Sequence, residues 1–197
     1  MGLTRQDIVR AGLRLLNDVG LNGLTLRLIA QELGVKAPAL YWHVKNKQEL
    51  LDEMATQMYA DAMPGRTPEG MGERESLELA SRQMREMMLA YRDGAKVFSG
   101  TFLTDDTLLT DNPLRGRIDA GLEMYLAGRA LFTVYSYVIG FTIEEQAVYP
   151  TPGERDPRYD LTPTVWVFDE DVEGRFRDGL TMVLNGVFAW LDDKVAT

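Results

Sequence analysis

Tyr41, Trp42, His43 and Lys47 place a phenol, an indole, an imidazole and an ammonium within seven residues. All four are hydrogen-bond donors, and Lys47 adds a full positive charge. Such a set suits the oxygens of a phosphate backbone better than it suits bond-breaking chemistry. His43 is the chain's only histidine and there is no cysteine. A Ser-His-Asp arrangement would have to use His43, which belongs to a basic, exposed segment, and neither a disulfide framework nor a thiolate metal site is possible. Glu144 and Glu145 are the most conspicuous carboxylate pair. As neighbours on a helix they diverge by about 100°, a poor geometry for paired acid–base work. No glycine-rich phosphate loop follows a strand. The chain is therefore expected not to be an enzyme.

The elements that must position these groups are helices. Ile8, Val9, Ala11, Leu13, Leu15 and Leu16 form an apolar stripe over residues 4–17, with Thr4 as N-cap and Asp7 three residues on. Gly20–Gly23 should stop that helix. Thr25 caps a second, running to Leu33, and Gly34 makes a sharp turn because it tolerates positive φ. Pro38 fits the first turn of a short third helix ending near Val44. Small Ala30 lets the second and third helices cross closely, and Ile29, Leu33, Val35 and Leu40 wedge them together. That spacing is a helix-turn-helix, which lays its second helix in the major groove of DNA. A three-helix cap without a DNA role is the alternative. The run Tyr41-Trp42-His43 weighs against it, because two large aromatics and a histidine on one short helix are hard to bury together.

Asn46 caps a fourth helix, and residues 63–70 form a proline- and glycine-rich linker. Beyond it, helices are expected over 73–92, 114–126 (ended by Gly128), 130–149 and 172–191, with loops over 102–113 and 150–163. No strand-like alternation persists, so the fold class is all-α. The expected domains are a helix-turn-helix domain (1–47), a connecting helix (48–63) and a helical ligand-binding and dimerisation domain (71–197). Net charge is −9, but it is unevenly spread: residues 1–47 hold seven Lys and Arg against three acids (+4), and the remainder fourteen against twenty-seven (−13). A basic head on an acidic body attracts phosphate at one end only. No apolar run looks long enough to span a bilayer, and the N-terminus lacks the apolar core of a signal peptide. A cytoplasmic protein without membrane contact is expected.

The segment Tyr41–Lys47, the stretch Tyr91-Arg92-Asp93-Gly94-Ala95-Lys96-Val97 and the stretch Gly140-Phe141-Thr142-Ile143-Glu144-Glu145-Gln146 resemble the tetracycline repressor (TetR) family, and in particular its tetracycline-responsive subgroup. The likeness runs from residue 4 to about 148. It implies a homodimeric repressor released from a palindromic operator by a small molecule. Carried over position by position, it places Arg27 and Lys36, Ala37, Pro38 and Ala39 where the family meets bases and nearby phosphates. Tyr41, Trp42, His43 and Lys47 lie where it grips the backbone. With the capping residue Thr25 these form the expected DNA-contacting set. Arg27 can pair with guanine O6 and N7. Ala37 and Ala39 replace an amide and a hydroxyl of the tetracycline-responsive members, so a different operator is expected.

The same resemblance puts Met63, Ala80, Met84, Phe98, Thr101, Phe102, Leu103 and Glu144 around the ligand pocket. Met87 and Tyr137 join them from an unusual supply of soft and aromatic side chains, for which a plain core role is the alternative. Phe98 stands where the tetracycline-responsive members hold a metal-chelated drug with a histidine, and hydrocarbon cannot ligate a metal. The expected inducer is therefore apolar or aromatic, with no metal and no cofactor. Glu144 could anchor a ligand hydroxyl or be a surface carboxylate. The helices 130–149 and 172–191 carry more apolar surface than one subunit could bury, which suits pairing with a second copy. The sequence leaves two other readings open: a helical small-molecule-binding protein or enzyme with a vestigial DNA head, and an activator of the same architecture.

Overall fold

Residues 2–62, 70–109, 112–150, 154–161 and 171–195 are described by a computed structural model. Among them the regular elements are helices: α1 (Arg5–Gly23), α2 (Leu26–Glu32), α3 (Ala37–Leu40), α4 (Lys47–Ala62), α5 (Glu73–Leu89), α6 (Gly94–Phe98), α7 (Arg115–Asp119), α8 (Met124–Val148) and α9 (Val172–Val195). The expected all-α fold with an N-terminal helix-turn-helix holds. The chain forms two compact units, one of Met1–Pro64 with Glu86–Leu108, the other of Gly65–Arg85 with Leu109–Thr197. The expected linker falls almost wholly outside the described residues.

In the first unit, local chemistry sets the helix starts. The Thr4 hydroxyl accepts from the Asp7 amide at 3.1 Å, and the Asp7 carboxylate accepts from the Thr4 amide at 3.0 Å. These reciprocal bonds satisfy two of the donors that open α1. The Thr4 hydroxyl and amide also hold the Asp7 carboxyl below its ordinary pKa. A kink at Gly20 (φ 68°) interrupts α1 where a stop was expected, although helical turns resume to Gly23. The Thr25 hydroxyl accepts from the Leu28 amide at 3.2 Å and opens α2. Gly34 adopts φ 65° and the Val35 amide returns to the Ala30 carbonyl at 2.9 Å. A side chain there would be strained by the left-handed backbone. Ile8, Leu16, Leu24, Ile29, Leu40, Leu50 and Met54 are fully buried. Each contributes about 1.5–3 kcal/mol through removal from water.

In the second unit, α8 and α9 pack along one another. Val138, Phe176, Leu180, Leu184 and Leu191 supply the core. Several element boundaries differ from the expectation. The helix expected over 114–126 is only α7, ended by Gly121 at φ 109° with the Leu122 amide on the Arg117 carbonyl at 2.9 Å. Consequently α8 begins at Met124 and runs through Gly128, because an interior glycine weakens a helix by about 1 kcal/mol without ending it. The helix expected over 73–92 stops at Leu89, since Asp93 takes the left-handed conformation (φ 56°) and opens α6. The loop expected over 102–113 contains a 3-10 turn, Asp106–Leu109.

The expectation about membrane-length apolar runs also needs correction. Helix α8 has 25 residues and a mean hydropathy of 1.3 over its most apolar window, long and apolar enough to cross a bilayer. Its apolarity has another use here: Ala127, Ala130, Val134, Val138 and Ile139 are buried. Met124, Tyr125 and Phe132 on the same helix, and Met182 on α9, remain exposed.

Candidate functional site

The DNA-facing candidates sit on a frame of buried aliphatics. Leu40 and Val44, both fully buried, bracket the three residues between them. Helix α3 proves shorter than expected: after Leu40 the chain turns, with the His43 and Val44 amides both on the Leu40 carbonyl at 2.9 Å. Tyr41, Trp42 and His43 thus occupy a turn following the helix instead of its outer face. Tyr41 and Trp42 are exposed as expected, at 55% and 89%, but His43 is half-buried. Arg27, Lys36 and Pro38 are exposed, while Ala37 and Ala39 are half-buried. Thr25 is occupied as a helix cap. Lys47 is half-buried, and its Nζ donates to the Leu21 carbonyl at 2.7 Å, a tie to α1 that the sequence did not suggest.

Helix α4 is held to α1 on a second side. Arg5 donates to Glu53 at 2.5 Å and to Glu49 at 3.2 Å. Glu49 also accepts the Lys45 amide at 2.6 Å; that bond, reinforced by Arg5, holds its carboxyl below the ordinary range.

The ligand candidates fall in both units. In the first, Met87 and Phe98 are buried, and Phe98 stacks on Tyr59 with centroids 6.4 Å apart and planes 8° from parallel. The Thr101 hydroxyl donates to the Phe98 carbonyl at 3.0 Å. Leu103 is half-buried and Phe102 is 83% exposed. In the second unit, Ala80 and Met84 are half-buried on α5. Tyr137 and Glu144 line one cleft of about 300 Å³ with Gly140, Phe141, Glu145, Val148 and Arg175. Met63 lies outside the described residues.

The cleft is built from one face of α8, residues 137, 140, 141, 144, 145 and 148, with Arg175 of α9 across from it. Its wall is aromatic. Tyr137 stacks on Phe176 (5.8 Å between centroids), and Phe141 meets Phe176 edge-on at 5.2 Å. The Tyr137 hydroxyl donates to the Phe176 carbonyl at 2.8 Å, and burial pushes the phenol up to about 12. It stays neutral at any physiological pH. Gly179 leaves room for this ring, since a Cβ there would collide with the tyrosine oxygen.

Behind the cleft, Arg85 clasps Glu145 through two bonds of 2.8 Å and Glu173 through one of 2.6 Å. Its guanidinium also lies 4.7 Å from the Phe176 ring centroid. Burial disfavours the charged form, but the bonds to Glu145 and Glu173 outweigh it and raise the pKa above the ordinary arginine value. Removing one partner of such a buried pair would strand a charge. Arg85, Phe176 and Arg175 were not singled out from the sequence. They are far from Glu144 and Glu145 along the chain, and no periodicity connects α5 with α8 or α9.

Comparison with known proteins identifies the family. The profile described as "Bacterial regulatory proteins, tetR family" matches residues 8–54, and "Tetracyclin repressor-like, C-terminal domain" matches residues 67–167. The chain is 36% identical to the class A tetracycline repressor of transposon 1721 from Escherichia coli, over 94% of this chain and 90% of that protein. Among solved structures, a point variant of TetR from Acinetobacter baumannii AYE, in complex with minocycline, aligns with TM-score 0.78 and 30% identity over 96% of this chain and 98% of that one. BioQ bound to its double-stranded DNA operator aligns with TM-score 0.71 and 31% identity over 95% and 99%. With both halves matched and full-length relatives above 30% identity, the chain belongs to the TetR family of bacterial transcriptional regulators.

Proposed function

We propose that this protein is a ligand-responsive transcriptional repressor that binds a palindromic operator as a homodimer and is released by a small apolar or aromatic inducer without a metal. The observation that carries the reading is the basic head that leaves Tyr41 and Trp42 in water directly after a buried helix-turn-helix core. A side chain as large as Trp42 at 89% exposure has no folding role there. Beside Lys36, Lys45 and Lys47 it is available to phosphate and sugar. The DNA-contacting set is Thr25, Arg27, Lys36, Ala37, Pro38, Ala39, Tyr41, Trp42, His43 and Lys47. Similar proteins bind minocycline in one case and operator DNA in another, which supports a two-function chain.

The inducer's character rests on Phe98, a ring with no donor atom packed on Tyr59, and on the aromatic wall of the α8–α9 cleft. The proposed inducer contacts are Met63, Ala80, Met84, Met87, Phe98, Thr101, Phe102, Leu103, Tyr137 and Glu144. The exposed apolar residues of α8 and α9 support pairing with a second copy, because one head reads too few base pairs for specificity. Selection of bound duplexes from a random pool tests the reading: an enriched palindrome with half-sites about one helical turn apart is expected. Failure to enrich any sequence would overturn it.

A further inference from the structure

We propose that Asn22, followed by Gly23, is a self-modifying site. The chain's own backbone converts the Asn22 carboxamide to a carboxylate without an enzyme, and the new charge weakens the head's hold on DNA. The effect on DNA rests on the operator-binding reading above; the modification itself does not. The Gly23 backbone nitrogen attacks Asn22 Cγ and closes an imide ring. The bond from Cγ to the side-chain nitrogen breaks, and ammonia leaves with the proton that the Gly23 nitrogen gives up. Water then opens the ring. Opening at Cγ yields aspartate, and opening at the backbone carbonyl yields isoaspartate, with the chain running through Cγ. Glycine favours the attack because no Cβ hinders the approach of its nitrogen.

The chain holds two Asn-Gly pairs, Asn22-Gly23 and Asn185-Gly186. All four residues are exposed, so access does not distinguish them; the backbone does. Asn185 lies in the middle of α9, and its carbonyl oxygen accepts from Arg74. Attack there requires a long helix to open from within. Asn22 lies in the last turn of α1, which is isolated on both sides: Gly20 is non-helical (φ 68°, ψ 175°) and Leu24 is extended (φ −72°, ψ 119°). A single turn of this kind opens without disturbing the helix before it. Among the described residues no hydrogen bond holds the Asn22 side chain. Gly23 is fixed by packing, since a Cβ there would stand 2.9 Å from Val19 Cβ, so no larger residue fits after Asn22. The Leu21 carbonyl, one residue back, accepts from Lys47 Nζ at 2.7 Å. A carboxylate at position 22 lowers the net charge of residues 1–47 by one and competes with phosphate for that ammonium. Isoaspartate also lengthens the backbone inside the turn that the Leu24 amide closes on the Gly20 carbonyl at 3.1 Å. The change is one-way, so an aged chain lets go of DNA whether or not an inducer is present.

The second pair is an internal control. The full chain is aged at mildly alkaline pH, which helps the Gly23 nitrogen lose its proton, and peptides carrying each pair are followed by mass spectrometry. Asn22 should convert at least about tenfold faster than Asn185, and an Asn22→Gln chain should show no conversion at position 22. The fresh chain is also used to select its operator duplex from a random pool. Operator affinity is then compared for fresh and aged wild type, aged Asn22→Gln and fresh Asn22→Asp. Asn22→Asp should bind about tenfold more weakly than fresh wild type. Wild type should lose affinity in step with conversion, while Asn22→Gln keeps its affinity through ageing. The proposal is overturned if Asn185 converts as fast as Asn22, or if Asn22→Asp and aged wild type bind the operator like the fresh chain. A wild-type chain that selects no duplex overturns the DNA-binding reading, and the effect on DNA with it; the rates at Asn22 and Asn185 still decide the site.

Discussion

The turn after α3 and the outer face of α8 both leave large apolar side chains in water, but in opposite company. Tyr41 and Trp42 are exposed in a stretch of sequence that also carries Lys36, Lys45 and Lys47 and whose net charge is positive. Phe132 is 67% exposed on a helix whose most apolar stretch averages a hydropathy of 1.3. An aromatic beside cations offers stacking and hydrogen bonds to a charged polymer. An aromatic among aliphatics offers only area, and area is satisfied by another apolar surface. Exposure alone does not name a partner; the charge within reach of the exposed ring does.

The comparison can be broken most directly at Phe132. If the proposed homodimer pairs through α8, a Phe132→Glu chain should be monomeric, with self-association weakened by about 3–4 kcal/mol as for a central interface residue. Sedimentation velocity checks this, and an unchanged dimer would remove α8 from the interface. Next in size, Trp42→Ala should lower operator affinity tenfold to a hundredfold, about 1.4–2.7 kcal/mol. It should leave the melting temperature unchanged, because the side chain contributes nothing to the folded core. Loss of stability instead would mean that Trp42 packs against something.

Thr25→Ala removes the acceptor for the Leu28 amide and should cost the head about 1 kcal/mol of stability, read by thermal denaturation. Lys47→Ala sharpens the comparison on the head's own side. If Lys47 neutralises a phosphate, the slope of log K against log salt should fall by about one. If its only role is the bond to Leu21, the slope should stay and stability should drop. The smallest expected effect concerns acid. Asp93 is partly buried, which alone would raise its pKa, but the Leu21 amide, Lys96 and Arg92 hold it below its ordinary value of 3.8. A group depressed in the folded state stabilises above its unfolded pKa and loses that contribution as pH falls through the folded one. Asp93→Asn should therefore flatten the stability–pH curve below about pH 4.

What could be read from the sequence follows the range of the forces involved. Thr4, Thr25, Gly34, Pro38 and Asn46 act within one turn of themselves, and each sits where its type demanded. The limits of α5 and α7 were missed because left-handed Asp93 and Gly121 compete with a continuing apolar stripe, and periodicity alone favours continuation. The aromatics of the cleft were visible as a supply but not as a wall, since Tyr137 and Phe141 of α8 meet Phe176 only through the packing of α8 on α9. The Lys47–Leu21 tie was invisible for another reason: an amine's partner can be any carbonyl, and nothing in the composition marks which.

Trp42 has an optical consequence. Of the three tryptophans, Trp166 lies outside the described residues and Trp190 is half-buried beside Lys194, whose Nζ is 6.0 Å from its ring centroid. Trp42 is an indole in nearly bulk water, in the proposed DNA-contacting set. Its emission should be red-shifted from that of Trp190 and more accessible to iodide. An operator duplex should shield it, so the protein carries a built-in fluorescent reporter of its own occupancy, one that requires no label.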